Sequence, residues 1–383
     1  MASMTTIDVV DLTRALVRSE SPSTRESPAA AVLEQALIDL GYDRVWRDEA
    51  GNVIGEIVRG DGPTLMLNGH LDTVPAGDPD AWLHPPFAGA LDGGRIWGRG
   101  ACDMKGPIAA MAVAGAEAAA DPIAGRILMT GVVQEEIGGL GARHLAATQH
   151  ADVVVVGEPS DLALMLGHRG RIEVHASFPG RLAHAAKAEL GENAVVRAAR
   201  FVSALEALDL PEAPLLGRSS ATATQIRSYP EGGANVVPDL VTLTIDYRNV
   251  PADTRDIVVE RLEAVDPGAA FEVPYEPFSS EDGRVTLELH RENGAYLLEE
   301  GDPAVATALA ALRSAFGRDV PVGTWWFATD APHLAMMGAP VIGFGPGDPE
   351  LAHTQGEHIV VEQLREAVAG YRALINAFLG SSS

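Results

Sequence analysis

The 383 residues carry 28 basic and 53 acidic side chains, and the formal net charge of -25 argues against binding to nucleic acid or anionic lipid, which both need a basic surface. Hydrophobic residues make up 46% of the chain, which predicts a globular protein, and the length predicts two domains because one domain usually has about 100 to 200 residues. Cys102 is the only cysteine, which excludes an internal disulfide framework and a multi-cysteine zinc site and suits a reducing cytoplasm.

Two amphipathic helices are predicted near the start of the chain, over 8–19 and 27–42, from apolar residues at helical spacing. Gly41 follows the last periodic residue of the second helix, and glycine is a residue type that commonly stops helices. The N-terminal segment carries charges throughout and lacks the basic region followed by an apolar region of a secretory signal. We therefore expect a soluble, cytoplasmic protein, with disorder only at the tips MASMTT and GSSS.

Short apolar strands and helices then alternate along the chain. The predicted strands are VIGEIV (53–58), TLMLNG (64–69), RILMTGVV (126–133), DVVVVG (152–157) and, far later, PVIGFG (340–345). The predicted helices cover 105–120, 140–149, 302–316 and 360–379. The first of them is apolar but contains Glu117, which indicates a buried helix rather than a membrane span. The alternation predicts an α/β domain with a mostly parallel sheet and helices on both faces.

Between residues 172 and 291 polar and apolar residues alternate instead, which is typical of half-exposed antiparallel strands. Such strands are predicted over 172–178, 222–229, 240–248 and 284–290, with helices over 193–208 and 254–265. We therefore expect an α+β domain at 172–291, inserted into an α/β domain that is built from 1–171 and 292–383.

Acidic residues and histidines follow the predicted strands of the α/β domain. His70 and Asp72 follow the predicted strand TLMLNG (64–69) and, being two residues apart, point to the same side of an extended chain. Four further segments carry such groups: GRGACDMKG with Asp103, VVQEEIGG with Glu135 and Glu136, VVVVGEPSD with Glu158, and FGPGDPELAHTQGEH with His353 and His358. Each segment alone also resembles a solvated loop, but the carboxyl ends of parallel strands meet in one crevice. Five convergent segments with nitrogen and oxygen donors predict two divalent ions about 3.5 to 4 Å apart.

Together, His-x-Asp at 70–72, GRGxxDMKG, Glu-Glu-x-Gly, GEPS and AHT resemble the dinuclear-zinc amidohydrolases and peptidases that include acetylornithine deacetylase, succinyl-diaminopimelate desuccinylase, aminoacylase and glutamate carboxypeptidase. The resemblance covers nearly the whole chain, and the inserted domain falls where that family has its lid and dimerisation domain. It implies two bound divalent ions, with zinc as the expected metal and cobalt as a substitute.

The resemblance also implies roles for the residues of the crevice. Five correspond to metal ligands: His70 and Glu158 for one ion, Glu136 and His353 for the other, and Asp103 as the bridge. Glu135 corresponds to the general base, and Asp72 to the residue that orients the metal-bound imidazole. From the residues alone His353 and His358 are equal candidates, and only the resemblance favours His353.

Further positions correspond to residues that contact the substrate. His184 matches the histidine that stabilises the oxyanion from the partner subunit's lid, which implies a homodimer. The match is imperfect, since Ala185 stands where the family commonly has Ser, and Pro is missing a few residues later. Asn235 and Arg248 match positions that grip the substrate carboxylate, although a turn asparagine and a surface arginine would look the same. In FATDAPHL, Thr329 and Asp330 match the loop that lines the substrate pocket.

The expected activity is metal-dependent hydrolysis of an amide bond in an N-acyl amino acid, because HLDTVPAGDPDAW, GRGACDMKG and GEPS resemble the deacetylase and desuccinylase branch. The alternatives are a carboxypeptidase or dipeptidase with the same site, and a catalytically silent metal-binding homologue. The glycine spacing fits no phosphate-binding loop, and no G-x-S-x-G elbow is present. Cys102 is expected to be a small buried residue, and Trp325 and Trp326 are expected to be core aromatics.

Overall fold

The computed structural model of the chain describes residues 7–380. The tips that were expected to be disordered, 1–6 and 380–383, therefore lie outside the described residues except for Gly380. Every helix predicted from the sequence is present within this range. The α-helices are Val9–Arg18, Ser27–Asp39, Gly106–Ala118, Leu140–Thr148, Ala194–Leu205, Arg255–Val265, Pro303–Phe316, Ala331–Leu334 and Val361–Leu379. Several begin at a side chain that caps the first turn, as Asp8 does by accepting the Val10 amide at 2.7 Å.

A mixed nine-stranded sheet forms the centre of the larger domain. In spatial order its strands are Arg44–Arg47, Val53–Arg59, Gly125–Val132, Thr64–His70, Val153–Val156, Val341–Gly343, Leu164–His168 and Tyr296–Leu297, with Val322–Trp325 also paired to Leu164–His168. The four strands from Gly125–Val132 to Val341–Gly343 are parallel to one another, and antiparallel pairs flank them on both sides. All five strands predicted for the α/β domain lie in this sheet.

Helices cover both faces of the sheet, as predicted. The face with the larger apolar core packs against Val9–Arg18, Ser27–Asp39, Gly106–Ala118, Pro303–Phe316 and Val361–Leu379. The opposite face is covered by Leu140–Thr148 and Ala331–Leu334. Neighbouring residues of a strand alternate between the two cores, so that Leu65 and Leu67 lie in the first and Met66 in the second. Across residues 7–380, no helix combines the length and the apolar character that crossing a membrane requires.

The inserted domain, which we call the lid, is built on a separate five-stranded antiparallel sheet. Its order is Ser220–Tyr229, Leu240–Arg248, Arg171–Pro179 and Ala270–Glu272, and Glu292–Asn293 also pairs with Arg171–Pro179. One face packs on the helices Ala194–Leu205 and Arg255–Val265, and Ser220–Tyr229 forms an edge of the sheet. The boundaries 172 and 291 stay a prediction.

One strand predicted for the inserted domain does not join the lid sheet. Thr286–His290 pairs with Tyr275–Ser279, and this hairpin packs on the larger domain instead of joining the lid sheet. The alternation of polar and apolar residues predicts a strand but does not specify what it pairs with. The remaining short strands are Ala183–His184 with Val236–Val237, Glu212–Ala213 with Gly217–Arg218, and His358–Val360 with Arg95–Trp97 and Ala90–Asp92.

Candidate metal centre and active site

The parallel strands of the central sheet end at one edge, and the predicted site residues lie there. His70 is the last residue of Thr64–His70, and Glu158 follows Val153–Val156 by two residues. Glu135 and Glu136 lie in the turn after Gly125–Val132, and the loop after Val341–Gly343 carries a second histidine. The crevice at the carboxyl ends of the strands therefore collects these groups from four neighbouring strands.

Asp103 lies between two histidines. Its Oδ1 is 3.1 Å from Nε2 of His70, and its Oδ2 is 3.2 Å from Nε2 of His353. A further carboxylate lies beside each histidine: Glu158 Oε1 is 3.7 Å from Nε2 of His70, and Glu136 Oε1 is 3.0 Å from Nε2 of His353. The structure thus brings together all five side chains that the resemblance assigned as ligands, with Asp103 shared between two histidine–carboxylate pairs.

These spacings suit donors that share a small divalent ion. Two ligand atoms about 2.0 to 2.2 Å from one tetrahedral ion lie about 3.3 to 3.6 Å apart. All of the donors are nitrogen or oxygen atoms, a set that suits zinc and other divalent ions. Donor atoms of His70, Glu135 and Glu158, and of His70, Asp103 and Glu136, lie within 4.8 Å of one another. The cluster therefore fits a metal site.

Asp72 supports the site through both its backbone and its carboxylate. Nδ1 of His70 lies 2.9 Å from the Asp72 carbonyl oxygen, which can only accept, so Nδ1 carries a proton and Nε2, which faces Asp103, is the nitrogen that a bound ion would use. The Asp72 carboxylate is farther from that nitrogen, at 3.6 Å. It accepts the backbone amides of Glu135 and Glu136 at 3.1 and 3.2 Å and the Ser23 hydroxyl at 2.7 Å. The carbonyl thus orients the imidazole, and the carboxylate holds the turn of Glu135.

The carboxylates of the cluster are not equivalent electrostatically. Burial, and next the charge of Asp330, raise the pKa of Glu135 well above its ordinary value. Burial also raises the pKa of Glu158, against the effect of His70. Burial alone would raise the pKa of Asp103, but hydrogen bonds from His353 and His70 lower it below its ordinary value. Two histidines leave most of this buried negative charge uncompensated, and bound cations would compensate it.

Glu357, which the sequence did not single out, holds the loop of Asp103. Its Oε1 accepts the backbone amides of Cys102 and Asp103, both at 3.2 Å, and its Oε2 pairs with Nη1 of Arg99 at 2.5 Å. Glu357 and Arg99 are buried, and so is Cys102, as expected. Glu357 belongs to the same AHTQGEH segment as His353, but an acid in a loop does not reveal that it binds backbone amides.

The loop of Thr329 and Asp330 lies beside the cluster and rests on His168. Nδ1 of His168 donates to the Arg169 carbonyl at 3.0 Å, so its Nε2 accepts the Thr329 amide at 3.1 Å. Asp330 is buried, and neither of its carboxylate oxygens has a well-formed hydrogen bond among the described residues, although Asn68 approaches it. Burial raises the pKa of Asp330 to about 7. The sequence does not place His168 beside this loop, because a histidine in a strand shows no motif.

The residues predicted in the lid do not reach the cluster of their own chain. His184 pairs with Val236 in a short ladder, and the neighbouring Asn235 carbonyl accepts the Ala185 amide at 2.9 Å. Arg248 is the last residue of the strand Leu240–Arg248, and its Nε pairs with Asp246 at 2.7 Å. Among residues 7–380, none of the three hydrogen-bonds to the acidic cluster of the same chain.

The structure distinguishes His353 from His358, which were equal candidates for a metal ligand from the residues alone. The His358 ring packs at a tilt against Trp97 with 4.3 Å between ring centroids, and its Nδ1 donates to the Gly356 carbonyl at 2.8 Å. His353 is the histidine beside Asp103. Trp325 is buried, as expected. The core assignment is wrong for Trp326, which is 64% exposed because it follows the last residue of the strand Val322–Trp325.

Comparison with known proteins agrees with this geometry. The model of Peptidase family M20/M25/M40 matches residues 66–377. The chain is 27% identical over 386 residues to the uncharacterised protein YgeY of Escherichia coli strain K12, covering 98% of this chain and 95% of YgeY.

Two solved structures are similar in fold. Aminopeptidase PepT from Bacillus cereus ATCC 10987 is 22% identical with a TM-score of 0.77, covering 97% of this chain and 98% of PepT. The metallo-carboxypeptidase Sso-CP2 from Sulfolobus solfataricus is 17% identical with a TM-score of 0.75, covering 97% of this chain and 99% of Sso-CP2. Because the family model matches most of the chain, including the whole acidic cluster, the chain belongs to peptidase family M20/M25/M40 and is a metallohydrolase of that family.

Proposed function

We propose that the chain hydrolyses the amide bond of a small N-acyl amino acid at a site for two divalent ions, with zinc as the metal and cobalt as a substitute. The observation that carries the proposal is the shared carboxylate, since Asp103 lies 3.1 and 3.2 Å from two histidine nitrogens. The proposed ligands are His70 and Glu158 for one ion, Glu136 and His353 for the other, and Asp103 for both. Two bound ions would acidify a water and polarise the substrate carbonyl.

Glu135 is the proposed general base. Its carboxylate accepts no hydrogen bond from another described residue, so it is free to accept a proton from the attacking water and to return it to the leaving amine. Burial raises the pKa of Glu135 well above its ordinary value, which makes its carboxylate a stronger base than an exposed glutamate. Asp72 keeps the base in position because its carboxylate binds the Glu135 amide at 3.1 Å.

The lid is proposed to complete the site in a homodimer. Nδ1 of His184 accepts the Ala186 amide at 3.0 Å, so a neutral imidazole carries its proton on Nε2 and can donate it to an oxyanion. His184 is exposed at the lid surface, where a second copy can be reached. The edge strand Ser220–Tyr229 has an unpaired side that a copy related by a two-fold axis would cover. This arrangement would supply His184 to the partner's site.

The substrate contacts are proposals of the same kind. Arg248 on the open face of the lid sheet, together with Asn235, would bind the substrate carboxylate, for which the planar guanidinium is suited. Arg248 would then exchange part of its pairing with Asp246 for the substrate. Thr329 and Asp330 would line the pocket beside Glu135, because the charge of Asp330 already affects the pKa of that base.

A second substrate class, short peptides, is favoured by the names of the two similar structures, an aminopeptidase and a metallo-carboxypeptidase. N-acyl amino acids come first because the motifs around His70, Asp103 and Glu158 resemble the deacylase branch. A silent metal-binding homologue is disfavoured, since the base and all five donors are retained. The cytoplasmic location stays a prediction.

A substrate screen tests the proposal. Purified protein, reconstituted with Zn or Co, is assayed with N-acetyl and N-succinyl amino acids and with di- and tripeptides, and its metal content is measured by elemental analysis. We expect about two ions per chain and turnover of one acyl class above the peptides. Turnover of peptides alone would replace the deacylase by a peptidase, and bound metal without turnover would favour the silent homologue.

A further inference from the structure

A hairpin of the lid reaches across to the larger domain. The chain leaves the lid sheet after Ala270–Glu272, forms the strands Tyr275–Ser279 and Thr286–His290, and returns to the lid sheet at Glu292–Asn293. We call residues 275–290 the arm. In the described part of the chain its two strands pair only with each other, so its other contacts come from side chains and turns.

The arm rests on the turn that carries Glu135. The Gln134 side chain is buried, and its Nε2 donates to the Ser279 carbonyl at 2.7 Å. The ring of Phe278 lies so close to the backbone of Gly138 that a Cβ added there would be 3.0 Å from it. Two consecutive residues of the arm thus hold the two sides of the turn between 134 and 138.

The arm has two further contacts with the larger domain. An apolar cluster joins three arm residues to three residues around the turn: Phe278, Val285 and Leu287 with Ala50, Val133 and Leu140. At the tip, Glu281 Oε2 accepts the amide and the hydroxyl of Ser27 at 3.0 and 2.6 Å. Ser27 begins the helix Ser27–Asp39, whose N-terminus favours a carboxylate.

The root of the arm is fixed to the lid by Arg291. Its Nη1 pairs with Glu173 of the lid strand Arg171–Pro179 at 2.8 Å, and its Nη2 pairs with Glu276 of the arm. Its backbone amide donates to the Pro274 carbonyl at 2.9 Å. The arm therefore links the lid sheet directly to the turn of the base.

The turn is a segment that needs such support. Gln134 has a φ of 59°, in the left-handed region that residues other than glycine adopt only when their surroundings impose it. Its amide donates to the buried Glu26 carboxylate at 3.2 Å. Asp72 holds the two following amides from the side of the cluster. Arg143 donates to the Gly138 carbonyl at 3.3 Å from the larger domain, and the arm adds the contacts of Ser279 and Phe278 from the side of the lid.

We propose that the arm positions the base, with Gln134 and Phe278 as positioning residues, so that Glu135, whose amide Asp72 already binds, takes its catalytic position while the arm is seated on the turn. A lid that swings away from the larger domain pulls Ser279 and Phe278 off the turn and loosens it. The arm thereby couples the position of the lid to the position of Glu135. The catalytic consequence rests on the proposed function, whereas the physical link between arm and turn does not.

Hydrogen–deuterium exchange of the full-length protein tests the link without any assay of activity. Phe278→Ala removes the ring from Gly138, and Gln134→Met keeps the length of the side chain but cannot donate to Ser279. In both variants we expect the amides of 133–139 to exchange at least about tenfold faster than in the wild type. Tyr275→Ala is the matched control, because this arm ring is 60% exposed and contacts His290 of the arm itself. It should leave exchange in 133–139 unchanged.

Steady-state kinetics then show whether the arm positions the base for catalysis or only stabilises the turn. With two metal ions bound per chain, both variants should lose about 10- to 100-fold in kcat with KM within about threefold of the wild type, because a misplaced base slows the chemistry without weakening binding. If the amides of 133–139 exchange in both variants as slowly as in the wild type, the proposed link between arm and turn is overturned. Faster exchange with unchanged kcat would overturn the positioning role. A wild-type protein without turnover would refute the proposed function instead, and the exchange comparison would still decide whether the arm holds the turn.

Discussion

Glu135→Gln should remove most of the turnover and still give a folded protein that, without metal, is at least as stable as the wild type. The two side chains have nearly the same shape, and the amide leaves no partner unsatisfied, because the carboxylate accepts no hydrogen bond from another described residue. General-base catalysis contributes about 100- to 10,000-fold to a rate. This factor corresponds to about 2.7 to 5.5 kcal/mol of the activation barrier.

The gain in stability follows from the crowding of charges. Donor atoms of Glu135, Glu158 and His70 lie within 4.8 Å of one another. Two like charges at that distance repel by about 3.5 kcal/mol at an effective dielectric constant of about 20. The lost attraction between Glu135 and His70 offsets part of this repulsion. We therefore expect the free energy of unfolding of the metal-free protein to rise by about 1 to 2 kcal/mol in the variant.

Urea unfolding of chelator-treated protein measures the stability, and steady-state kinetics after reconstitution measure the turnover. Glu136→Gln is the matched control, since it makes the same chemical change one residue later, at the carboxylate 3.0 Å from His353. It should lower the metal content, whereas Glu135→Gln should keep it. A metal-free Glu135→Gln protein that is less stable than the wild type would refute the charge argument. The reverse pattern of metal content would refute the assignment of base and ligand.

Three further predictions concern the metal, the lid and the support of the site. A chelator should abolish amide hydrolysis and Zn or Co should restore it, and activity that is indifferent to the chelator counts against a metal centre. Mixing inactive His184→Ala with inactive Glu135→Gln should restore activity, because one site of the hybrid dimer has both an intact base and an intact oxyanion donor. Tagged chains show whether the subunits exchange. If they do exchange and activity stays absent, His184 does not act in the partner's site. Glu357→Ala should weaken metal binding about 10- to 100-fold, measured by competition with a metal-binding dye, by loosening the loop of the shared carboxylate; Glu350→Ala, an exposed acid of the nearby loop, is the control, and equal affinities would exclude the effect.

The sheet, its helices and the lid could be predicted from the sequence because their signals are local. A strand such as Thr64–His70 is recognised by its apolar run, and the place where it ends is where His70 and Asp72 emerge. The parallel order of the central strands then implies which ends are neighbours. The pairing of Thr286–His290 was missed, since a period of two defines a strand but not its partner.

The sequence also does not reveal the residues whose side chains hold the site by binding backbone amides or carbonyls. Glu357, His168 and Gln134 stand in no motif of their own, and the groups that they bind belong to segments distant in the chain. The resemblance assigned Asp72 to the imidazole, but the structure uses its carbonyl for that contact and its carboxylate for the turn of Glu135. Side-chain identity does not determine which atom of a residue makes a contact, and only the folded chain decides this.

The acidic residues in and around the crevice fall into two groups, according to whether their carboxylates accept hydrogen bonds from backbone amides. Glu26, Asp72 and Glu357 each accept at least two backbone amides, and each of them holds a loop or turn next to the cluster. Glu135 and Glu158 accept no backbone amide among the described residues, and burial leaves their negative charge without a donor. A carboxylate already bound by amides gains little from a cation, whereas one that is buried without donors gains most. The hydrogen bonds of the scaffold thus separate the acids that hold the loops from those left to bind ions or to transfer protons, and composition alone could not make that distinction.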